Sequence, residues 1–270
     1  MKTFFVMSST DRLLATLQLF SAAKPVWTVE EAAGHLGVSV STTYRYFKSL
    51  RGAGLLDSAP GGFALGPAFV HFDRLIQDTD PLLQAARPVM EGVIRHAPDE
   101  SALLLCRLYS DRIMCVHQVC GAAHSESESY ERGRPVLMFR GATAKVILAH
   151  LPNRKLRQIY ERNVMEIRLA GLGEDWPGFR RQLTGIAKAG YYVARQELEP
   201  GRTGIAVPLF GANGDVLGSL SLGLPDTEEG VIRRLITLTI AAAREIEGRV
   251  YGTKASERGF SFDQANDDQR

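Results

Sequence analysis

A polar arc on one short helix carries the most specific chemical signal in the sequence. Ser39 can cap a helix that runs to about Arg51, just before two glycines. At about 100° per residue, one side of that helix carries short hydroxyls followed by cations: Ser41, Thr42, Arg45, Lys48 and Ser49. In the DNA major groove, hydroxyls near a helix N-terminus approach the backbone closely, and longer cations reach bases or phosphates. The arc therefore predicts a helix that contacts DNA.

The surrounding elements must hold this helix. Leucines at helical spacing behind Ser9 and Thr10 predict a first helix that closes at Lys24-Pro25. A capping box at residues 28–31 starts a second helix, which stops at Gly37. The far side of the third helix is expected to pack through Thr43, Phe47 and Leu50, with Val40 near them. Apolar runs around the Pro-Gly-Gly turn at residues 60–62 predict a β-hairpin. Residues 8–66 are therefore predicted to form a winged helix-turn-helix domain.

The rest of the chain indicates a linker and a second domain. Residues 67–81 are predicted to form a helical linker, because Phe69, Phe72, Leu75 and Ile76 make an apolar stripe that favours self-association. Strand and helix patterns then alternate over residues 82–251, which indicates an α+β sensor domain. Residues 1–7 are predicted to be an N-terminal tail, and residues 252–270 a disordered tail.

Composition narrows the class of protein. The 270 residues are 45% hydrophobic and 23% charged, which is sufficient for two compact domains, and a net charge of +2 alone does not indicate nucleic-acid binding. The opening residues fit neither a signal peptide nor a membrane span, so we expect a cytoplasmic protein with no membrane partner. The sequence contains no P-loop, nucleophile elbow or HExxH, and we expect neither enzymatic activity nor a cofactor.

The cysteines and histidines leave a competing interpretation open. A cysteine nucleophile could pair with His117 or His124, or Cys115, His117 and Cys120 could hold zinc. We expect instead that Cys106, Cys115 and Cys120 are buried structural thiols, because no fourth zinc ligand lies near them. The acidic serine run at residues 124–129 is predicted to be a solvated loop.

Longer motifs resemble one family. Residues 36–47 (LGVSVSTTYRYF), followed by Ala-Gly-Leu at 53–55 and Phe-Ala-Leu-Gly at 63–66, resemble the DNA-binding domain of IclR-family regulators. The segments at residues 133–136, 141–145, 190–191, 200–201, 205–208 and 218–221 are similar to landmarks of the family's effector domain, in the same order. The resemblance covers residues 8–249. It implies a winged helix-turn-helix, a linker helix with dimer contacts, and a GAF-like α/β effector-binding domain. Members often assemble as homodimers or dimers of dimers on palindromic operators, as repressors or activators.

The resemblance assigns DNA-binding positions. It implies contacts from Ser41, Thr42, Tyr44 and Arg45, with Gly61 and Gly62 at the wing tip. Lys48 is added from the helical arc. The family often has a basic residue where this chain has Val40, so we expect one phosphate contact to be absent.

The resemblance and the strand pattern together suggest an effector pocket. Its predicted residues are Met138, Arg140, Gly141, Ala142, Thr143, Ala194, Glu197, Gly204 and Ser221. Alternation places Ser219, Ser221 and Gly223 on one strand face, where small residues leave room for a ligand. Free amides at the start of the Gly141 helix, beside Arg140, favour an anion, so we expect a small, carboxylate-bearing organic effector.

An alternative function keeps the sensor domain but makes the N-terminal domain a protein-interaction module without DNA binding. The polar arc argues against that function, because a protein-binding helix more often exposes apolar anchors. For the regulator, we expect the pocket to bias the relative placement of two winged helices through residues 67–95.

Overall fold

The computed structural model describes residues 8–109, 112–124 and 131–252. The two predicted tails, apart from Gly252, and most of the acidic serine run fall outside these ranges. The chain divides into two compact units, Met1–Asp80 and Pro81–Arg270. Among the described residues, no helix is long and apolar enough to span a membrane.

Over residues 8–80, the N-terminal unit contains four α-helices and a two-stranded antiparallel sheet. In chain order these are α1 Ser9–Ala15 with a 3-10 extension Thr16–Leu19, α2 Val29–Leu36, α3 Val40–Gly52, β1 Leu56–Ala59, β2 Gly62–Leu65 and α4 Ala68–Thr79. Strands β1 and β2 pair from Leu56 with Leu65 to Ala59 with Gly62, so the predicted hairpin is confirmed.

Side-chain caps set the beginnings of the first three helices. Thr28 and Glu31 form the predicted capping box of α2, and Ser39 caps α3. The prediction for α1 was wrong at both ends. Ser8 is its cap, because the Ser8 hydroxyl accepts from the Asp11 amide while the Asp11 carboxylate accepts from the Ser8 amide. The 3-10 extension ends at Leu19, five residues before Lys24.

Trp27 organises the core of the N-terminal unit. It exchanges two backbone hydrogen bonds with Phe63 of β2, at 3.0 and 2.9 Å, and its indole Nε1 donates to the Leu19 carbonyl oxygen at 3.0 Å. Phe47 of α3 is fully buried and packs edge-to-face on Phe63, with ring centroids 5.0 Å apart. The hairpin and α3 are therefore held in one orientation.

The C-terminal unit is built on a six-stranded antiparallel sheet in the order β5-β4-β3-β8-β7-β6. The strands are β3 Ala102–Tyr109, β4 Arg112–Cys120, β5 Pro135–Val136, β6 Tyr192–Arg195, β7 Arg202–Phe210 and β8 Val216–Pro225. The helices are α5 Pro81–Ile94, α6 Gly141–Ala149, α7 Asn153–Arg162, α8 Val164–Leu169, α9 Trp176–Ala189 and α10 Glu229–Tyr251. The α+β class is confirmed, while β5, β6 and α8 were not predicted.

Helices cover both faces of this sheet. Residues of α5 and α10 pack with Leu103, Leu105 and their neighbours in one buried cluster. Residues of α6, α7 and α9 pack with Leu104 and Cys106 in the other. Alternate residues of β3 therefore enter opposite cores, and every residue of β8 except Leu217 and Pro225 is buried.

Candidate DNA-binding helix and effector cavity

Helix α3 has one buried and one exposed side. Thr43, Phe47 and Leu50 are buried as predicted, and Tyr46 is also buried, with its hydroxyl 3.2 Å from the Ser9 hydroxyl of α1. Val40 is 48% exposed, so its predicted packing is wrong. As the first residue of the helix, Val40 lies about one turn before Thr43 and about two turns before Phe47, on the edge of the packed side.

Three hydroxyl groups gather at the N-terminus of α3. The Ser39 hydroxyl accepts from the Thr42 amide at 3.2 Å and lies 3.0 Å from the Ser41 hydroxyl and 2.9 Å from that of Thr42. Amides at a helix N-terminus carry partial positive charge that favours a phosphate. Ser41 and Thr42 are therefore placed where short donors can meet a nucleic-acid backbone.

The cations of the arc lie on the exposed side. Arg45 and Lys48 are exposed, and their side chains make no hydrogen bond or ion pair with any residue that the structure describes. Helix α3 contains no acidic residue, and Tyr44 is 56% exposed. Both cations are therefore available to an anionic partner.

The two wing glycines have different surroundings. Gly61 is exposed at the tip of the hairpin, and a Cβ there would meet nothing within 4 Å. Gly62 has a φ of +153°, and a Cβ there would lie 2.4 Å from the Trp27 carbonyl oxygen. Close packing against Trp27 therefore accounts for Gly62, whereas Gly61 lies at the open tip.

A cavity of about 660 Å³ lies in the C-terminal unit beside the start of α6. Its walls are Leu137, Met138, Phe139, Arg140, Lys145, Glu166, Leu169, Ala170 and Glu197. Three predicted effector residues, Met138, Arg140 and Glu197, are among them. The cavity combines an apolar wall with two cations and two carboxylates.

The carboxylate of Glu197 holds the start of α6. Its Oε2 lies 2.7 Å from Lys145 Nζ and accepts from the Gly141 amide at 3.0 Å, and its Oε1 accepts from the Tyr192 hydroxyl at 3.0 Å. Arg140 donates to the backbone carbonyl oxygen of Glu197 at 2.6 Å. The amide of Gly141 is therefore engaged within the chain rather than free.

Sequence reasoning missed Lys145, and it also missed Tyr192 and five other residues of the cavity wall: Leu137, Phe139, Glu166, Leu169 and Ala170. Lys145 is 6% exposed in a helix whose residues from Gly141 to Leu148 are all buried. A lone lysine within an otherwise apolar helix was the available signal, because buried charges are almost always paired. Its partner lies 52 residues further along the chain, so the spacing could not identify it.

Tyr192 donates to this carboxylate. Burial, followed by the negative charge of Glu197, raises the pKa of the Tyr192 hydroxyl to about 12. The phenol therefore keeps its proton and donates it to Glu197 Oε1. Its ring also lies under the ammonium group of Lys145, 5.0 Å from the ring centroid.

Gly141 cannot carry a side chain in this arrangement. Its φ is +78°, and a Cβ would approach within 2.8 Å of the Leu198 side chain. The loop after β6 therefore packs directly on the start of α6, which brings Glu197 to the helix N-terminus.

The other predicted effector residues do not line this cavity. Thr143 donates to the buried Ser221 hydroxyl at 2.9 Å, and Ser221 lies 3.0 Å from Ser219. Ala194 and Gly204 are opposite one another on β6 and β7, and both are buried. Ala142 is buried in α6. The small residues of β8 therefore contact α6 through a chain of hydroxyls.

Two of the three thiols are buried and one is exposed. Cys106 and Cys115 are buried opposite one another on β3 and β4, but Cys120 is exposed at the end of β4, so that prediction is wrong. The hydrogen bond to Cys115 and burial hold the pKa of Cys106 well above its ordinary value. Burial lowers the pKa of His117. Within the described ranges, no group of three or more His, Cys, Asp or Glu side chains could hold a metal.

An N-terminal helix-turn-helix with a cationic arc, joined to an α+β unit with a charged cavity, defines a one-component DNA-binding regulator. Residues 9–60 match the IclR helix-turn-helix domain, and residues 76–247 match the domain described as bacterial transcriptional regulator IclR C-terminal. The chain therefore belongs to the IclR family of bacterial transcriptional regulators, DNA-binding proteins with an effector-binding C-terminal domain.

Individual relatives agree with this assignment. The HTH-type transcriptional regulator KipR of Bacillus subtilis is 27% identical over 210 residues, which cover 77% of this chain and 82% of KipR. The fold is similar to that of a putative IclR regulator from Silicibacter sp. TM1040, with a TM-score of 0.76, 19% identity and coverage of 91% and 97%. It is also similar to an IclR homologue from Microbacterium hydrocarbonoxydans in complex with 4-hydroxybenzoate, with a TM-score of 0.69, 21% identity and coverage of 90% and 99%.

Proposed function

We propose that this regulator binds a palindromic operator in the cytoplasm as a homodimer or a dimer of dimers, with α3 of each copy in the major groove. A small carboxylate-bearing effector in the C-terminal unit modulates that binding. The observation that carries the proposal is the exposed arc of α3, where Arg45 and Lys48 lack partners among the described residues and follow the hydroxyls at the helix N-terminus.

The polar groups of the arc divide between contacts to the DNA backbone and contacts to the bases. Ser41 and Thr42 contact the phosphates near the helix N-terminus, because short donors there reach the backbone without entering the groove. Tyr44, which is 56% exposed beside the arc, contacts the same backbone through its hydroxyl. Arg45 reads a base edge, since its planar fork can donate two hydrogen bonds to guanine. Lys48 contacts a phosphate, and Gly61 lets the wing tip approach the adjacent backbone.

The effector binds at the cavity beside α6. The cations Arg140 and Lys145 lie on its wall, and the first amide of α6, from Gly141, donates to the Glu197 carboxylate of the same wall. An organic acid suits this combination because its carboxylate needs donors and its body needs the apolar wall. The Microbacterium relative in complex with 4-hydroxybenzoate supports the same chemical class.

Self-association uses helix α4. Phe69, Phe72, Leu75 and Ile76 share one face of this helix and are between 36% and 51% exposed, and α4 has no buried residue. A second copy of the same face would cover this stripe, and a two-fold pair of winged helices matches a palindromic DNA site.

The test is binding of the purified full chain to the DNA that flanks its own gene, measured at several salt concentrations. Arg45→Ala is expected to weaken specific binding by about 1–3 kcal/mol and to relax preference at one base position. Lys48→Ala is expected to weaken binding to all sequences and to lower the salt slope by about 1. Arg249→Ala, which removes an exposed arginine of α10, serves as the matched control and should change neither quantity.

Equal binding to operator and random DNA by the folded wild-type protein would contradict the proposal. Loss of affinity in Arg249→Ala as large as in Arg45→Ala would show that charge alone, rather than the α3 arc, drives binding. In the first case the N-terminal unit would be better explained as a module that binds another protein.

A further inference from the structure

The donors around Glu197 form a complete carboxylate receptor. A lysine ammonium, the first amide of α6 and a tyrosine hydroxyl all direct hydrogen bonds at one carboxylate, from 2.7 to 3.0 Å. The lysine side chain is 7% exposed and fixed on a helix, whereas the Glu197 side chain is 24% exposed and lies on the loop after β6. The donors are therefore fixed in place, whereas the carboxylate of Glu197 that they bind is more accessible to solvent than Lys145.

The cavity meets this receptor. Lys145 and Glu197 both lie on its wall, so a molecule inside the cavity contacts the ion pair. Leu137 and Leu169 on the same wall are 60% and 84% exposed, which is unusual for large apolar side chains beside a concave site. The cavity thus offers a charged end and an uncovered apolar end.

We propose that Glu197 is an internal substitute for the carboxylate of the effector. An apolar monocarboxylate enters the cavity, its carboxylate replaces that of Glu197 on Lys145, Gly141 and Tyr192, and the Glu197 side chain rotates into water. Lys145 then determines specificity for the effector carboxylate. This inference rests on the proposed effector function of the cavity and adds the mode of its regulation.

The exchange requires only a side-chain movement. Two hydrogen bonds fix the backbone beside Glu197. The Gln196 amide donates to the Arg202 carbonyl oxygen at 2.8 Å, and the Gln196 side chain donates to the Asp226 carboxylate at 2.7 Å. Arg140 donates a hydrogen bond to the backbone carbonyl oxygen of Glu197. Rotation of one partly exposed glutamate is fast and leaves the fold intact, and one carboxylate replaces another, so Lys145 never stays buried without a partner.

The wall selects the class of acid. Met138, Phe139 and Ala170 favour an aromatic or branched aliphatic body, because burial of apolar surface provides the binding energy. Glu166 on the same wall carries negative charge and disfavours a second carboxylate on the ligand. We therefore expect monocarboxylates such as benzoate to bind more tightly than the dicarboxylate phthalate.

Calorimetric titration of the full chain with benzoate, 4-hydroxybenzoate and phthalate tests the exchange. Because Glu197 occupies the receptor most of the time, its removal in Glu197→Gln or Glu197→Ala is expected to tighten benzoate binding about tenfold or more. Lys145→Met is expected to abolish benzoate binding. Glu199→Gln, the same substitution two residues away at a side chain that faces Arg202, is the control and should leave the affinity unchanged.

The outcomes distinguish this inference from the effector function on which it rests. If both Glu197 variants are folded and bind benzoate no more tightly than the wild type, the proposal that Glu197 is an internal substitute is wrong. The effector function would still hold if benzoate changes the operator affinity of the wild type. No carboxylate binding in any variant would overturn both, and operator binding would still test the DNA-binding function.

A crystal structure of the wild-type complex with benzoate makes the same test without a substitution, in case the Glu197 variants lose stability. We expect the benzoate carboxylate within hydrogen-bond distance of Lys145 and the Glu197 carboxylate outside it. Benzoate bound elsewhere, with Glu197 still on Lys145, would overturn the inference.

Discussion

Glu247 is a buried acid that lies away from the cavity. It is 6% exposed on α10, and its Oε1 accepts from the Phe210 amide at 2.7 Å, next to an irregularity in the pairing of β7 with β8. Burial raises the pKa of its carboxyl from 4.5 to about 7, against the opposing effects of the Phe210 hydrogen bond and the Arg244 charge. Near neutral pH the carboxyl is therefore half-protonated in the folded protein.

The Glu247 carboxyl is expected to make stability pH-dependent. Below 4.5 both the folded and the unfolded chain hold the proton, whereas between 4.5 and about 7 only the folded chain does. The unfolding free energy therefore falls as pH rises through this window, by on the order of 2 kcal/mol after allowance for solvent screening, and is constant above it. Glu247→Gln keeps an acceptor for the Phe210 amide but cannot titrate. Over the same pH range, the unfolding free energy of this variant should therefore fall less than that of the wild type, by that amount.

The measurement is urea unfolding of the wild type and of Glu247→Gln at about pH 5 and about pH 8. The pH-dependent change in unfolding free energy is compared between the two proteins, because the contributions of all other titrating groups cancel in that comparison. Parallel curves for wild type and Glu247→Gln would mean that the carboxyl titrates normally in the folded state.

At the scale of residues, the sequence could predict what depends on local spacing. Arg45 and Lys48 share an arc because they are three residues apart and the helical period of about 3.6 residues is a local property, and the structure leaves both exposed. It could not predict that Lys145 pairs with Glu197, since that contact depends on where the loop after β6 meets α6. It also failed for Cys120, whose strand ends at the surface.

Helix α4 shows how an element can be predicted while its partner is not. Phe69, Phe72, Leu75 and Ile76 lie within one face, whereas Val70 lies on the opposite side at 74% exposure. We expect Phe72→Ser with Ile76→Ser to weaken self-association about a thousandfold, because the pair removes four large apolar side chains from a two-fold interface. Sedimentation velocity at micromolar concentration measures the change in mass.

Val70→Ser is the control, since it removes an exposed apolar side chain from the other side of α4. It should leave the mass unchanged. Dissociation by Val70→Ser, or an unchanged mass in the double variant, would show that copies associate through another surface.

Among the other elements, α2 was predicted from its local start and stop signals, whereas the ends of α1 were wrong and short elements such as β6 and α8 were missed. The α2 helix has a capping box and a terminal Gly37, and both appear as expected. Strand β6 has four residues and α8 has six, and only Asn163 separates α8 from α7. Such short segments have too few residues to establish a period, and tertiary contacts decide their conformation.

At the scale of the whole molecule, the proposed regulation requires a mechanical connection between the cavity and the DNA. Asp80 separates α4 from α5 with a single non-helical residue, and Pro81 starts α5. A short connection with a fixed φ at proline transmits orientation better than a flexible one. The distance between half-sites is a rigid geometric requirement, so a small change in orientation is sufficient to alter operator affinity.

An insertion of about six Gly and Ser residues between Asp80 and Pro81 is expected to remove this connection. Operator affinity is measured with and without the carboxylate that shifts it most in the wild type, and a coupling of about 5-fold to 150-fold should fall to about one. Calorimetry should give wild-type affinity for the same carboxylate, because the cavity lies wholly in the C-terminal unit.

The same insertion between Asn213 and Gly214, at the exposed turn that joins β7 to β8, is the control, and it should keep the wild-type ratio. By reciprocity, operator DNA must change carboxylate affinity by the same factor, and the insertion at Asp80 should abolish that change as well. An insertion variant that retains the wild-type ratio in both directions would exclude residues 80–81 as the connection and would require a second route between the two units.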